Sequence, residues 1–365
     1  MTASLLPSTL ARIAEPDEAI SEQELQLAAR NHGLPLETLR YDVTPVGLHY
    51  LLVHYDIPFA DETSWRIGVD GHVERELTLD LAALRERPRR TRRVTMECAG
   101  NGRARLAPRP VSQPWLTEAV GTAEWTGTPL APLLAEAGLR DGAVDVVFTG
   151  ADHGIERGVE QDYARGLSVA DATDDEVLLV YEMNGQPLPP QHGAPVRLVA
   201  PGWYGMAQVK WLRRITVLDR AFDGFQNATA YRLKVGDEDG EPVTRIQPRA
   251  LMTPPGFPDF MSRVRIVDAG EHELTGRAWS GLAPIVRVEV STDGGASWAD
   301  AELGQDEGRW AWRRWRLPWN AATPGPVQLC CRATDATGTV QPLDQPWNRQ
   351  GMANNMVQRV DAFVR

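Results

Sequence analysis

Apolar positions in the first two thirds of the chain fall in short runs, with few stripes at helical spacing. Trp65-Arg-Ile-Gly-Val-Asp-Gly-His-Val73 alternates with period two, as a half-buried strand does. Val94-Thr-Met-Glu-Cys98, Asp145-Val-Val-Phe-Thr-Gly150, Asp175-Glu-Val-Leu-Leu-Val-Tyr181 and Val196-Arg-Leu-Val-Ala200 are more uniformly apolar and predict buried strands. Asn184-Gly185 is a two-residue hairpin signal, and Pro201-Gly202 is a turn. His49-Tyr-Leu-Leu-Val-His-Tyr-Asp-Ile-Pro58 is a mostly apolar run ended by proline. Three stretches carry helical signals. Asp17 or Ser21 can cap a helix whose apolar face is Leu25, Leu27, Ala28 and Ala29; Leu77 to Arg87 reads as a second; and a turn at Trp125 to Pro129 leads into a third, closed by Gly138.

The pattern changes after Tyr231. Gly236-Asp-Glu-Asp-Gly-Glu-Pro242 is a charged linker, and Thr253-Pro-Pro-Gly-Phe-Pro258 is a second loop. Beyond them Val264–Val267, Glu273–Trp279, Ile285–Val290, Trp310–Trp315 and Val327–Ala333 read as strands, with a turn at Asp293-Gly294. Their spacing predicts an immunoglobulin-like sandwich with the tryptophans in its core. The fold class is therefore α+β: an arm over residues 1–45, a mixed α/β domain over 46–240 and an all-β sandwich over 241–365. A chain of 365 residues also gives roughly two domains as the prior.

The formal net charge of -11 argues against a nucleic-acid partner, so any anion site must be a local cluster of basic side chains. Arg85, Arg87, Arg89, Arg90, Arg92 and Arg93 form a basic run that is either a docking patch or, with Pro88, a blunted strand edge. Three cysteines, Cys98, Cys330 and Cys331, make no disulfide framework and no haem or cluster motif. Cys330 and Cys331 are strand neighbours that should face opposite sides and serve packing. Met1 to Leu10 shows no basic region, twin arginine or long apolar stretch, which predicts a cytoplasmic protein with no membrane span, or a periplasmic one if a leader has been trimmed.

The chemistry centres on Val94-Thr-Met-Glu-Cys-Ala-Gly-Asn-Gly-Arg103, which delivers Cys98 from a strand end into a turn. Gly100 and Gly102 allow close backbone approach, and Arg103 supplies positive charge that favours thiolate. Such a thiol suits a soft metal or nucleophilic catalysis, and equally a small buried hydrophobe beside a loop.

The Cys-Ala-Gly-Asn segment resembles that of the sulfite oxidase family. So do Gln113-Pro-Trp115, Glu182-Met-Asn-Gly-Gln-Pro-Leu-Pro189, His192-Gly-Ala-Pro-Val-Arg197, Pro201-Gly-Trp-Tyr-Gly205 and Val209-Lys-Trp-Leu212, and the likeness runs from about Tyr50 to the C-terminus. The resemblance implies a sulfite-oxidase-type molybdopterin-binding domain, a C-terminal dimerisation domain and a homodimer. It makes Cys98 the molybdenum ligand and places His54, Asp152, His192, Arg197 and Lys210 around the molybdopterin. A pterin phosphate in an acidic protein needs such fixed donors. Arg103 and Tyr231 become substrate-site residues, with Trp115 on the pocket wall. The implied reaction is oxygen-atom transfer that converts sulfite to sulfate. No haem or flavin is fused, so electrons would pass to a separate acceptor such as a cytochrome. Leu52 and Gln350 stand where the family has two further arginines, so Arg103 is what is left of that set and the pocket is expected to be less cationic. A molybdenum-dependent reductase of a sulfoxide, nitrate or another oxo substrate is the alternative. A metal-free hydrolase or transferase with Cys98 as nucleophile and His54 or His192 as base is a second, and a noncatalytic binding protein built on the sandwich is a third.

Overall fold

The computed structural model describes residues 12–365, so the expectation for Met1 to Leu10 lies outside the described residues. The first half carries two sheets. One runs Leu77–Leu79, Ile67–Gly71, Leu212–Leu218, Asp145–Glu156, Val159–Ser168, with Ile67–Gly71 parallel to Leu212–Leu218 and the other pairs antiparallel. Ile67 and Val69 are fully buried and their neighbours are not, as the period-two pattern requires. The second sheet is antiparallel and orders Arg90–Glu97, Val120–Pro129, Leu178–Met183 and Gln186–Pro187, with Arg197–Val199 also paired to Leu178–Met183. Asn184 (φ 53°) and Gly185 (φ 72°) make the expected hairpin turn.

Helix Leu130–Ala137 buries Leu130, Leu133, Leu134 and Ala137 and ends on Gly138 at φ 71°. The expected turn before it is instead the end of the Val120–Pro129 strand. Over 77–87 the chain forms a strand and then the helix Leu81–Arg85. Leu77 and Leu79 pair with Ile67–Gly71, and Asp80 caps the helix by accepting from Ala83 N at 2.9 Å. Helix Glu22–Arg30 starts at Ser21 with a full capping box. Its expected apolar face is not buried: Leu25 is 57% exposed, whereas Glu24 is 1% exposed and bonds Arg109. A charge-assisted contact, not an apolar stripe, anchors this helix.

The C-terminal part is a sandwich of two sheets. One orders Arg249–Met252, Gly270–Trp279, Arg313–Ala321 and Glu302–Leu303; the other orders Phe257–Pro258, Arg265–Val267, Gln358–Val364, Gly325–Asp335, Ile285–Ser291 and Ala299–Asp300. The expected strand at 310–315 begins only at Arg313, and Trp310 to Trp312 lead into it. Trp315 and Cys331 lie in the core between the sheets, and Cys330 is buried outside that cluster. Trp279 and Trp312 do not fill the sandwich core. They pack into the large cluster of the first half, so the two parts share one apolar seam.

Candidate active site

The Arg90–Glu97 strand pairs with Val120–Pro129 as far as Glu97↔Val120, and Cys98 is the first residue past its end. Cys98 N still donates to Ala119 O at 2.9 Å; the chain then turns, with Asn101 N donating to Cys98 O at 3.0 Å and Arg103 N to Gly100 O at 3.1 Å. Asn101 locks the turn: its Nδ2 donates to Glu97 Oε1 (3.0 Å) and its Oδ1 accepts from Ala119 N (3.1 Å). Gly102 sits at φ 86°, where a side chain would strain the backbone. A Cβ on Gly100 would collide with the Arg103 guanidinium, and one on Gly351 would lie 2.6 Å from Arg103 Cγ. Arg103 therefore runs through a slot walled by two glycines.

Cys98 is 7% exposed. Burial pushes its thiol up, and Arg103, a Gly100 backbone hydrogen bond and the Trp115 indole N–H oppose that without overcoming it. The buried Trp115 Nε1 makes no well-formed hydrogen bond of its own. Arg103 thus favours thiolate, as expected, but desolvation outweighs it. A thiol so placed is ionised by a bound metal more readily than by solvent.

His54, Cys98, Asp152, His192, Arg197 and Lys210 all line one cavity. Arg197 is 5% exposed; its Nη1 donates to His192 O (2.9 Å), its Nη2 to Gln208 O (3.1 Å), and its guanidinium stacks 4.8 Å from the Trp125 ring centroid. Lys210 Nζ donates to Leu52 O (2.8 Å) and Gln191 O (3.2 Å). Neither cation has a carboxylate ion-pair partner among the described residues. Burial pushes Arg197 down to about 10, and burial followed by the Arg197 charge pushes Lys210 down to about 7. Burial and neighbouring cations hold His192 down at about 2, and burial first holds the adjacent His49 at about 4, so both rings are neutral at pH 7. Burial raises Asp152 to about 6, and its Oδ1 has no hydrogen-bond partner.

Cys98 also opens on a second cleft, which shares Leu52, His54, Cys98 and Tyr231 with the first cavity and adds Arg103, Trp115, Arg157, Gln350 and Met352. Arg103 is 5% exposed, and its Nε donates to Gln350 O (2.7 Å), its Nη1 to Gln113 O (3.1 Å), and its Nη2 contacts Met352 Sδ (3.5 Å). Among the described residues no carboxylate forms an ion pair with it; Glu156 acts on it only at longer range. Burial keeps Tyr231 protonated, close to the buried Tyr163. His54 Nε2 meets Glu156 Oε2 at 2.9 Å and neither His54 nor His192 bonds the Cys98 sulfur, which leaves the hydrolase reading without its base.

Sequence reasoning missed Glu156, Tyr163 and Arg157. No local motif marks them; they arrive from the two strands of one hairpin and its tip. Leu52 and Gln350 both line the cleft, and Arg157 adds a guanidinium there that no motif announces, bonded to Gln350 Oε1 at 2.6 Å, with Arg12 and Arg30 also on its lining.

Residues 54–226 match the oxidoreductase molybdopterin binding domain, and residues 257–364 match the Mo-co oxidoreductase dimerisation domain. Mitochondrial sulfite oxidase of Mus musculus is 33% identical over 99% of this chain and 69% of its own length. The Homo sapiens protein is 34% identical over 88% of this chain, which spans 62% of that relative. Nitrate reductase [NADH] 1 of Arabidopsis thaliana is 30% identical, with 92% of this chain and 40% of the relative covered. Among solved structures, the sulfane dehydrogenase SoxCD of Paracoccus pantotrophus superposes with a TM-score of 0.79 at 26% identity, covering 96% of this chain and 94% of that one. The chain belongs to the sulfite oxidase family of molybdopterin-dependent oxidoreductases.

The first cavity fits that cofactor on its own terms. The buried Arg197 and half-buried Lys210 have no ion-paired carboxylate, and only Asp152 lies near enough to act on Lys210, so the cavity carries excess positive charge that calls for an anion; the orphaned Asp152 Oδ1 and His49 Nε2 call for polar ligand atoms. A pterin phosphate and a hydrogen-bonding ring system supply both.

Proposed function

We propose that the chain oxidises sulfite to sulfate and passes the electrons to a separate acceptor such as a cytochrome. The observation that carries this is the position of Cys98 at the junction of two spaces, one suited to an anionic cofactor and one holding a buried guanidinium with no ion-paired carboxylate. Bound in the first space, molybdopterin supplies molybdenum for two-electron oxygen-atom exchange. Cys98 is the protein ligand to the metal, a soft thiolate donor. His54, Asp152, His192, Arg197 and Lys210 hold the pterin and its phosphate. Arg103 attracts the anionic substrate and steadies its oxygens, Tyr231 stays protonated and donates a hydrogen bond, and Trp115 walls the cleft against water.

The test is anaerobic addition of sulfite to purified molybdenum-loaded protein while its metal absorption is followed. Bleaching by sulfite, reversed by an external oxidant, is expected. Leu52 places an apolar side chain between the two spaces, and nitrate reductases are among the relatives, so the reductase reading has a defined signature. No change with sulfite, together with reoxidation of dithionite-reduced protein by nitrate or a sulfoxide, would put the reductase in its place.

A further inference from the structure

Arg157 occupies an unusual backbone position. Glu156 pairs with Val159 across the hairpin formed by Asp145–Glu156 and Val159–Ser168, so Arg157 and Gly158 are its two-residue turn. Both have positive φ, 51° and 80°. Turns of that shape favour asparagine, aspartate and glycine, because an ordinary side chain is strained there. A strained arginine at a hairpin tip points to a use for its side chain.

The side chain is held, and no carboxylate bonds it directly. Its Nη2 donates to Gln350 Oε1 at 2.6 Å, and Phe225 packs beneath the guanidinium with 6.0 Å from its carbon to the ring centroid. Among the described residues it has no carboxylate ion-pair partner; the neighbouring Glu156 carboxylate is drawn instead to His54 at 2.9 Å and to Gln226 Nε2 at 3.1 Å. Gln350 ties together two of the arginines that line the cleft; of the others, Arg12 pairs with Glu18 and Arg30 donates to Tyr55 O at 2.8 Å. The Gln350 main-chain oxygen accepts Arg103 Nε at 2.7 Å, and its side-chain oxygen accepts Arg157 Nη2 at 2.6 Å. The Arg103 charge is thereby set deep and the half-buried Arg157 charge nearer solvent, both lining the same cleft as Cys98. The Arg157 charge bears on Arg103, and the Glu156 carboxylate offsets part of that repulsion without bonding either guanidinium, so an oxyanion bonded between them relieves what is left.

We propose that Arg157 is a specificity-determining residue of the substrate cleft, forming with Arg103 a two-guanidinium site for a small oxyanion, and that Gln350 is its positioning residue. This rests on the reading of the cleft as the substrate site, but not on sulfite being turned over.

The probe is inorganic sulfate, titrated calorimetrically into molybdenum-loaded wild type, Arg157→Asn, Arg157→Lys and Gln350→Ala, with dimethyl sulfoxide as a neutral comparison. Arg157→Asn should raise the sulfate Kd by about tenfold to a hundredfold, the range for one charged hydrogen-bonding group. Its Tm should not fall, because asparagine suits the turn. Arg157→Lys should recover part of the affinity, and Gln350→Ala should weaken sulfate binding in the same direction. Where sulfite is turned over, Arg157→Asn should raise KM by the same factor and leave kcat nearly unchanged. Unchanged sulfate affinity in Arg157→Asn overturns the proposal, as does an equal loss for dimethyl sulfoxide, which would mark a general disturbance of the cleft. If sulfite fails to reduce the wild type while sulfate binding still depends on Arg157, the sulfite oxidation reading falls and the oxyanion site stands.

Discussion

Cys98 meets two opposed demands: burial keeps its thiol protonated, and its place between two cavities makes the sulfur useful only as thiolate. On the proposed reading, a bound metal would resolve the conflict by displacing the proton. Cys98→Ser should therefore leave the fold intact and remove turnover, since a hydroxyl is a harder and poorer donor. Cys330→Ser and Cys331→Ser should keep the metal. Elemental analysis and activity on the purified variants decide it; full activity in Cys98→Ser would exclude Cys98 as the ligand.

Lys210 gives a pH signature in protein stripped of cofactor. Burial holds its folded pKa at about 7, whereas an unfolded lysine titrates at about 10.4. Below pH 7 both states are protonated and the full burial penalty is present. Between 7 and about 10.4 the unfolded state binds more protons, so stability rises with pH. Lys210→Met should stabilise the cofactor-free protein below pH 7 and flatten that rise, read by urea unfolding across the window. An unchanged slope would show that Lys210 is not desolvated as its surroundings imply. The motif residues around Cys98 were legible because they lie within ten positions of one another and carry a distinctive composition. Arg157 was not, because its role depends on Gln350, 193 positions away, and on a turn geometry that the Arg-Gly pair does not announce.

At the level of elements, the cysteine strand is fastened from behind by the sandwich. Glu97 and Arg249 are each 1% exposed and meet at 3.1 Å; Trp279 Nε1 donates to the other Glu97 oxygen at 2.8 Å. Arg249 also bonds Asn354 O, and Asn354 Nδ2 donates to Gly102 O at 2.7 Å, so the turn after Cys98 leans on the same group. Arg249→Met removes one partner and leaves a buried carboxylate, which should cost about 3–5 kcal/mol. The double variant Glu97→Gln with Arg249→Met should be less destabilised than the sum of the two single changes. Strict additivity in urea unfolding would remove the coupling. Strands with clean alternation, such as Ile67–Gly71, were legible from the sequence. The short Leu77–Leu79 strand was not, because Leu77, Leu79, Leu81 and Leu84 satisfy both periods until Asp80 is seen to cap a helix. Glu24 defeated the reading of the first helix for a related reason: a buried carboxylate paired with Arg109, 85 residues away, leaves no apolar pattern.

Over the whole molecule, the basic run with a docking patch as one of its two readings is largely neutralised at home. Arg85, Arg87, Arg89, Arg92 and Arg93 pair with Glu62, Glu136, Glu182, Glu176 and Glu124, which favours the blunted strand edge over a free cationic patch. Among the described residues no helix is long and apolar enough to cross a membrane. After Phe59, 96% exposed in the first part of the chain, the most exposed large apolar side chains lie on the sandwich. Phe257, Ile266 and Phe363 stand opposite one another on three adjacent strands, and Phe260 (83% exposed) and Met261 (82% exposed) sit on the loop between the first two. A cluster of exposed apolar side chains of this kind marks an interaction surface. The region matches a dimerisation domain, so a second copy of this chain is the expected cover of this face, and closed two-fold pairing is the commonest arrangement. Light scattering at micromolar concentration should give the dimer mass for wild type. Phe260→Asp with Met261→Asp should shift it to the monomer while the metal content stays near one per chain, because the substituted loop is distant in sequence from every residue placed at the two cavities and is already exposed to water. A dimer unaffected by both charges would move the interface to another face of the sandwich.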